Sequence, residues 1–346
     1  MMYQKYTDYA IEKTLELLAI DSPTGYTAQA AEYMMEELQK LGYAPFKTVK
    51  GGVGVDLGGK DAAHAVMIAA HIDTLGGMVC EIKSNGRLRI TNLGGLKAVN
   101  CETENCRIVT KRNGAYEGTL QLCNPSAHVN TDLQKTERDF KTTEIVVDED
   151  VKTAEDVKAL GISVGDFVCF DPRPRVTRSG YIKSRYLDDK LSVGCVLALA
   201  KYLKDEKIEP EKKIYAYFTV YEEVGHGCSQ VPFENVTEAL SVDMGCVGDG
   251  ITCTERQVSI CAKDTSGPYS YEMVCKLIEA AEKTGADYAV DVYPNYGSDV
   301  EASLRGGLDA VHGLIGPGVY ASHGYERSHR DGAENTIKVL VGYVAP

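Results

Sequence analysis

Positive charge is the first thing this sequence is short of. Lysine and arginine number 37 against 50 aspartates and glutamates, a formal net charge of −13 over 346 residues. A nucleic-acid binder or an anionic-membrane binder needs a basic face, so this balance argues against both. Long apolar runs are missing as well: nothing approaches the roughly 18 uninterrupted apolar residues of a membrane span. The opening MMYQKYTDYAIEK holds no apolar stretch of the kind a secretory signal needs. Eleven cysteines run from Cys80 to Cys275 without a single C-x-x-C pair. In a reducing compartment they are expected to be small buried hydrophobes. No G-x-S-x-G elbow and no phosphate-binding G-x-x-x-x-G-K-[ST] loop occurs. A thiol beside an imidazole is found only at His226 and Cys228, a weak signal for a nucleophile. What these absences leave is a soluble, cytoplasmic protein, and its length suggests two domains.

The residues that are present arrange themselves in three stretches. Helical apolar spacing covers about 6–20 and 27–41, with Gly42 placed as a C-terminal helix glycine. The run AVMIAA (65–70) has the look of a strand buried on both faces, as in a parallel or mixed sheet, and it ends in His71-Ile72-Asp73. Between about 76 and 180 the pattern changes. Asn85-Gly86 and Asn113-Gly114 sit between strand-like flanks and predict hairpins with type I′ turns. A short helix near 153–160 opens at Thr153, with Asp156 three residues on. From 186 onward helices and strands alternate again: helices near 190–204, 269–284 and 333–343, strands near 213–221, 239–243 and 256–263. The simplest account is an α/β domain (1–75 and 181–346) interrupted by a small β-rich domain (76–180).

Five short segments could carry chemistry. In extended chain His71 and Asp73 point the same way, and the end of a strand in an open α/β sheet is where ligands bind. A carboxylate beside a histidine can orient its ring. Asp188 and Asp189 precede the apolar helix LSVGCVLALAKYL, where acids are also favoured simply by the helix dipole. Glu222 and Glu223 close the alternating strand KIYAYFTVY, and two adjacent like charges there are costly without a cation or a proton. Asp243 tips a short strand, and His323 follows the glycine-rich GLIGPGVYA. Each has a bland reading as a cap or turn residue; the set does not. Two histidines with several carboxylates make the donor inventory of a dinuclear zinc site. Asp188, Glu223 and Asp243 bring −3 against +4 from two divalent ions, a difference that one hydroxide closes. Glu222 is then free to act as general acid and base.

In this order HIDTLGG, YLDDKLSVG, VYEEVGHG, SVDMG and YASHGYERSH resemble the co-catalytic zinc aminopeptidases of metallopeptidase family 42, the TET and glutamyl-aminopeptidase type. The resemblance runs over nearly the whole chain. It implies a mixed-sheet α/β/α zinc-peptidase domain with a β-barrel-like or PDZ-like insert used for assembly, often into a homo-dodecamer. It implies one ion on His71, Asp188 and Asp243 and a second on Asp188, Glu223 and His323, with Asp188 bridging. Asp73 would orient His71, and Glu222 would be the general base. Zn2+ is the expected metal, with Co2+ or Mn2+ acceptable to the same ligands, and short peptides are the expected substrates. The related acylase, dipeptidase and deacetylase group uses almost the same ligands and is the alternative. Here the β-rich insert lies between the first and second ligands, which favours the aminopeptidase type. The segment around His323 departs from the family's usual His-Ser-Pro, and His329 and His128 stay open as further participants.

Overall fold

The computed structural model describes residues 2–345. Its centre is the strand Asp61–His71, whose apolar run from Ala65 to Ala70 is buried throughout. A strand apolar on both faces has to be covered on both edges and both faces. Lys212–Thr219 lies along one edge and Val236–Val242 along the other, both parallel to it. Val311–Tyr320 continues the parallel order beyond Val236–Val242. These four neighbours therefore point their carboxyl ends the same way, and such ends are where open α/β sheets place their ligands. The sheet extends to twelve strands in all, with antiparallel pairings toward both margins. The mixed sheet agrees with the fold class expected from the sequence.

Helices Gln4–Leu18, Leu187–Asp205 and Arg330–Val344 pack on one another, and Tyr271–Thr284 packs on the last of them. Leu187–Asp205 is buried along nearly its whole length, apolar all round as an interior helix must be. Helix Ala28–Lys40 ends as the sequence suggests, with Gly42 at φ +81°. None of the eleven cysteines is in a disulfide, and all but Cys80, Cys123, Cys246 and Cys275 are buried.

The chain divides into two compact units, Met1–Asp73 with Arg173–Pro346, and Thr74–Pro172. The sequence boundary at 180/181 thus lies eight residues beyond the structural one at 172/173. The cause is local: Arg175–Val176 pairs with Tyr181–Ser184 inside the larger unit's sheet. The smaller unit is a closed barrel of six strands, in the order Gly76–Ile82, Leu88–Leu93, Thr143–Val147, Ala115–Leu122, Asn105–Val109, Phe167–Phe170. Closure removes the exposed edges that a small sheet would otherwise present. Both Asn-Gly hairpins form. Their turns are not type I′, because only Gly86 and Gly114 take positive φ. At the first, Gly86 donates to Lys83 and Lys83 to Arg87, which puts one left-handed glycine in a longer loop. Helix Ala154–Ala159 carries the full capping box, Thr153 accepting from Asp156 and Asp156 from Thr153.

Candidate metal centre

Two of the four parallel strands feed the centre directly, and the other two feed it through the turns that follow them. His71 closes Asp61–His71, Asp243 follows Val236–Val242, and Glu222 and Glu223 follow Lys212–Thr219. His323 lies in the loop after Val311–Tyr320. Asp188 arrives from outside this set, at the start of helix Leu187–Asp205, where its peptide bond to Asp189 is cis.

Ligand-capable atoms of His71, Asp188 and Asp243 all lie within 4.8 Å of one another, and so do those of Asp188, Glu223 and His323. Asp188 belongs to both groups. One of its oxygens is 3.2 Å from His71 Nε2 and the other is 3.5 Å from His323 Nε2. His323 Nε2 is also 3.7 Å from Glu223 Oε2. Donors about 2.1 Å from a tetrahedral zinc stand roughly 3.4 Å apart, so these spans suit ligands around an ion. Glu222 sits beside the groups, its Oε2 3.7 Å from His71 Nε2.

The electrostatics say that something is needed here. Burial pushes the carboxyls of Glu222 and Glu223 well above the usual range, and neighbouring acids add to the shift. Burial and then the charge of Asp188 push Asp243 up to about 7. Burial and Asp243 likewise raise Asp189. Asp188 is the exception: burial opposes its ionisation, but hydrogen bonds from His323 and His71 hold it well below the ordinary carboxylate range. The hydrogen bond to Asp188 lifts His323 to about 9. Two buried oxygens, Glu223 Oε1 and Asp189 Oδ1, have no hydrogen-bond partner among the described residues. A crowd of buried carboxylates with orphaned oxygens and only two imidazoles to offset them is what a pair of cations would compensate. The residues present fit two divalent ions.

Asp73, expected to orient His71 through its carboxylate, meets the ring most closely through its backbone. The His71 ring donates from Nδ1 to the backbone carbonyl of Asp73 at 2.9 Å, while the nearer carboxylate oxygen is 3.6 Å away. That carboxylate faces the glutamate turn instead. It accepts the backbone N–H groups of Glu222 (3.1 Å) and Glu223 (3.4 Å) and the hydroxyl of Thr24 (2.7 Å). The turn is tight, with Tyr221 at φ +71° and Gly225 at φ +84°. A non-glycine residue in that region costs of order 1–3 kcal/mol, so the surrounding bonds must hold it there.

Three further acids went unassigned by the sequence. Asp189 accepts the backbone N–H of His71 (3.1 Å). Asp299 accepts from the Thr219 hydroxyl and the Cys228 N–H, so it ties both ends of the segment carrying the two glutamates. A side chain at Gly227 would bring Cβ to 2.1 Å from Asp299 Oδ1, which is why that position is glycine. Glu326 accepts the N–H groups of Asp188 (3.1 Å) and His323 (3.0 Å). The only sequence signal for Glu326 is a carboxylate three residues after a candidate ligand; Asp299 gives none, and the helix it opens, Asp299–Arg305, appears only in the structure.

Three other candidates lie outside the two ligand groups. His329 caps helix Arg330–Val344, accepting from Asp331 N–H and donating to the Ser179 carbonyl. His128 belongs to the smaller unit and is exposed. Cys228 is buried, and burial together with Asp299 drives its thiol well above the usual value, the opposite of an activated nucleophile.

Comparison with known proteins bears on the same residues. A family model described as M42 glutamyl aminopeptidase matches residues 51–339. The aminopeptidase candidate YhfE of Bacillus subtilis (strain 168) is 44% identical over 340 residues, covering 97% of this chain and 98% of its own. The glutamyl aminopeptidase of Lactococcus lactis subsp. cremoris is 26% identical over 62% of this chain and 60% of its own. Among solved structures, the TET1 peptidase of Pyrococcus horikoshii, which can assemble into a tetrahedron or a large octahedral shell, superposes with a TM-score of 0.84. It is 23% identical, over 97% of this chain and 99% of its own.

Proposed function

Because the chain belongs to the M42 family of aminopeptidases, we propose that it is a two-metal exopeptidase that removes N-terminal residues from short peptides, with Glu222 as general base. One observation carries the reading: two ligand groups share Asp188, and the Glu222 carboxylate stands beside them without belonging to either. His71, Asp188 and Asp243 would hold one ion, and Asp188, Glu223 and His323 the other. Zn2+ is the favoured metal, and Co2+ or Mn2+ suits the same mixture of imidazole and carboxylate.

Two ions at these positions would polarise the scissile carbonyl and bring a water's pKa near neutrality. Glu222 takes a proton from the attacking water as its oxygen adds to the carbonyl carbon. As the C–N bond breaks, Glu222 delivers that proton to the leaving amine, so it ends the cycle as it began. Its side chain is 15% exposed, enough to meet substrate yet sheltered enough for its charge to be felt. Asp73 keeps the base in place through the N–H groups of the turn, and the Asp73 carbonyl fixes the His71 ring with Nε2 turned to the centre. Asp73 is a positioning residue in this scheme.

Homo-oligomeric assembly and a cytoplasmic setting go with the proposal, the first supported by likeness to a TET peptidase that can assemble into a tetrahedron or a large octahedral shell. The preferred N-terminal residue is left to experiment. Glu222→Gln is expected to lower kcat by roughly 10²–10⁴ while two ions stay bound, as counted by elemental analysis. Wild-type turnover in that variant refutes the role of Glu222. A panel of aminoacyl anilides against N-acyl amino acids separates an aminopeptidase from a deacylase.

A further inference from the structure

We propose that Glu326 is the positioning residue that completes the second metal site, by tying together the backbones of two of its ligands. This rests on the reading that Asp188, Glu223 and His323 hold an ion, and it adds what makes that ligand set form. Glu326 opens the strand Glu326–His329 and is 2% exposed. Its Oε2 accepts the N–H of Asp188 and its Oε1 accepts the N–H of His323. Each oxygen serves one ligand, and the two ligands come from different elements, a helix start and a loop.

The two histidines explain why such a tie matters. His71 closes a strand paired on both sides, its N–H is held by Asp189, its ring by the Asp73 carbonyl, and its side chain is 2% exposed. His323 stands in a loop with its side chain 39% exposed and its backbone at φ +63°, close behind Ala321 at φ +60°. Left-handed backbone on a non-glycine residue persists only where its surroundings impose it. The bond from His323 N–H to Glu326 supplies such a constraint, alongside the Gly324 N–H to Ala321 carbonyl bond that closes the turn. Each histidine thus has its N–H on a buried carboxylate, but for His323 this replaces a strand ladder.

A carboxylate suits this tie. The two N–H donors go to different oxygens, so glutamine would keep one acceptor and turn its amide N–H toward the other donor. Groups that orient metal ligands typically govern a 10- to 100-fold range of metal affinity.

The test uses full-length protein stripped with chelator, dialysed, and titrated with Co2+ while visible absorption and heat are recorded. Wild type is expected to take up two ions per chain. Glu326→Gln is expected to bind the first as wild type does and the second roughly 10-fold more weakly, and Glu326→Ala roughly 100-fold more weakly. The absorption of the second ion should shift to correspondingly higher Co2+. His323→Ala marks the loss of the second ion altogether, and circular dichroism of the metal-free variants checks that they fold. At saturating metal kcat should recover in Glu326→Gln with KM for peptide unchanged. The proposal is overturned by folded Glu326 variants that bind both ions as wild type does, or that lose both equally. Wild type taking up no second ion overturns the parent reading instead, so the two failures stay distinct.

Discussion

One strand, Val236–Val242, has a buried acid near each end, and the two live in opposite surroundings. Near its amino end Glu238 is 5% exposed and accepts from Lys212 (2.5 Å), Lys276 (2.8 Å) and the Tyr343 hydroxyl (2.5 Å). Burial opposes its ionisation, but these three partners hold it down at about 2. Just past the carboxyl end Asp243 is 4% exposed and meets other acids and one imidazole, and it is pushed up to about 7. The same residue class on the same strand is thus compensated by the protein at one end and left uncompensated at the other. A buried acid with its own lysines is part of the scaffold. A group of buried acids without them is what the two proposed cations would compensate.

The largest effect should come from withdrawing those cations. Chelation is expected to abolish activity, with recovery on adding a divalent metal back. It should also lower stability, since an ion present at a thousand times its Kd contributes about 4 kcal/mol. Urea unfolding with and without chelator measures this, and an unchanged midpoint would remove the contrast between the two strand ends.

Acid should act at the other end. Glu238 is lowered from 4.5 to about 2, so its stabilisation is fully present above pH 4.5 and fades as the pH falls toward 2. A shift of that size amounts to about 3 kcal/mol, reduced to about 2 because both lysines are partly exposed. Glu238→Gln should therefore be less stable than wild type at pH 7, by about 2 kcal/mol, and match it near pH 2. Comparing the pair in chelator keeps the metal centre out of the difference. A gap that stays constant with pH contradicts the charge compensation.

The smallest effect belongs to Tyr343→Phe, which deletes one hydrogen bond to Glu238 and leaves both lysines. It should cost about 1–2 kcal/mol, the range for a bond to a charged acceptor. Its peptidase activity at saturating metal should equal wild type, since the site lies at the opposite end of the strand.

Much of this was legible in the chain because it depends on local order. The buried strand at 65–70 followed from a continuous apolar run, the hairpins from Asn-Gly, and the cap at Thr153 from its partner three residues on. The glutamates at 222 and 223 stood out because adjacent like charges at a strand end are costly anywhere. The illegible parts depend on partners distant in sequence. Nothing near Asp73 announces that its carboxylate serves Glu222 and Glu223, and nothing near Asp299 announces Thr219 and Cys228. Asp73 is a neighbour of the His71 ring in space as in sequence, but its backbone carbonyl lies 2.9 Å from Nδ1 and its carboxylate 3.6 Å.

By itself, then, the sequence determined which residue types are available and roughly where the strongly patterned helices and strands lie, because periodicity, capping and turn chemistry act over a few residues; the strand Val311–Tyr320 and the helix Asp299–Arg305 carried no such pattern. It also determined that a histidine-and-carboxylate inventory exists at element ends. Tertiary structure alone decided that four parallel strands bring those ends to one place, and that the Glu238 charge meets lysines while that of Asp243 does not. Charge compensation depends on distances through space, and those are fixed only when the sheet has closed around its central strand.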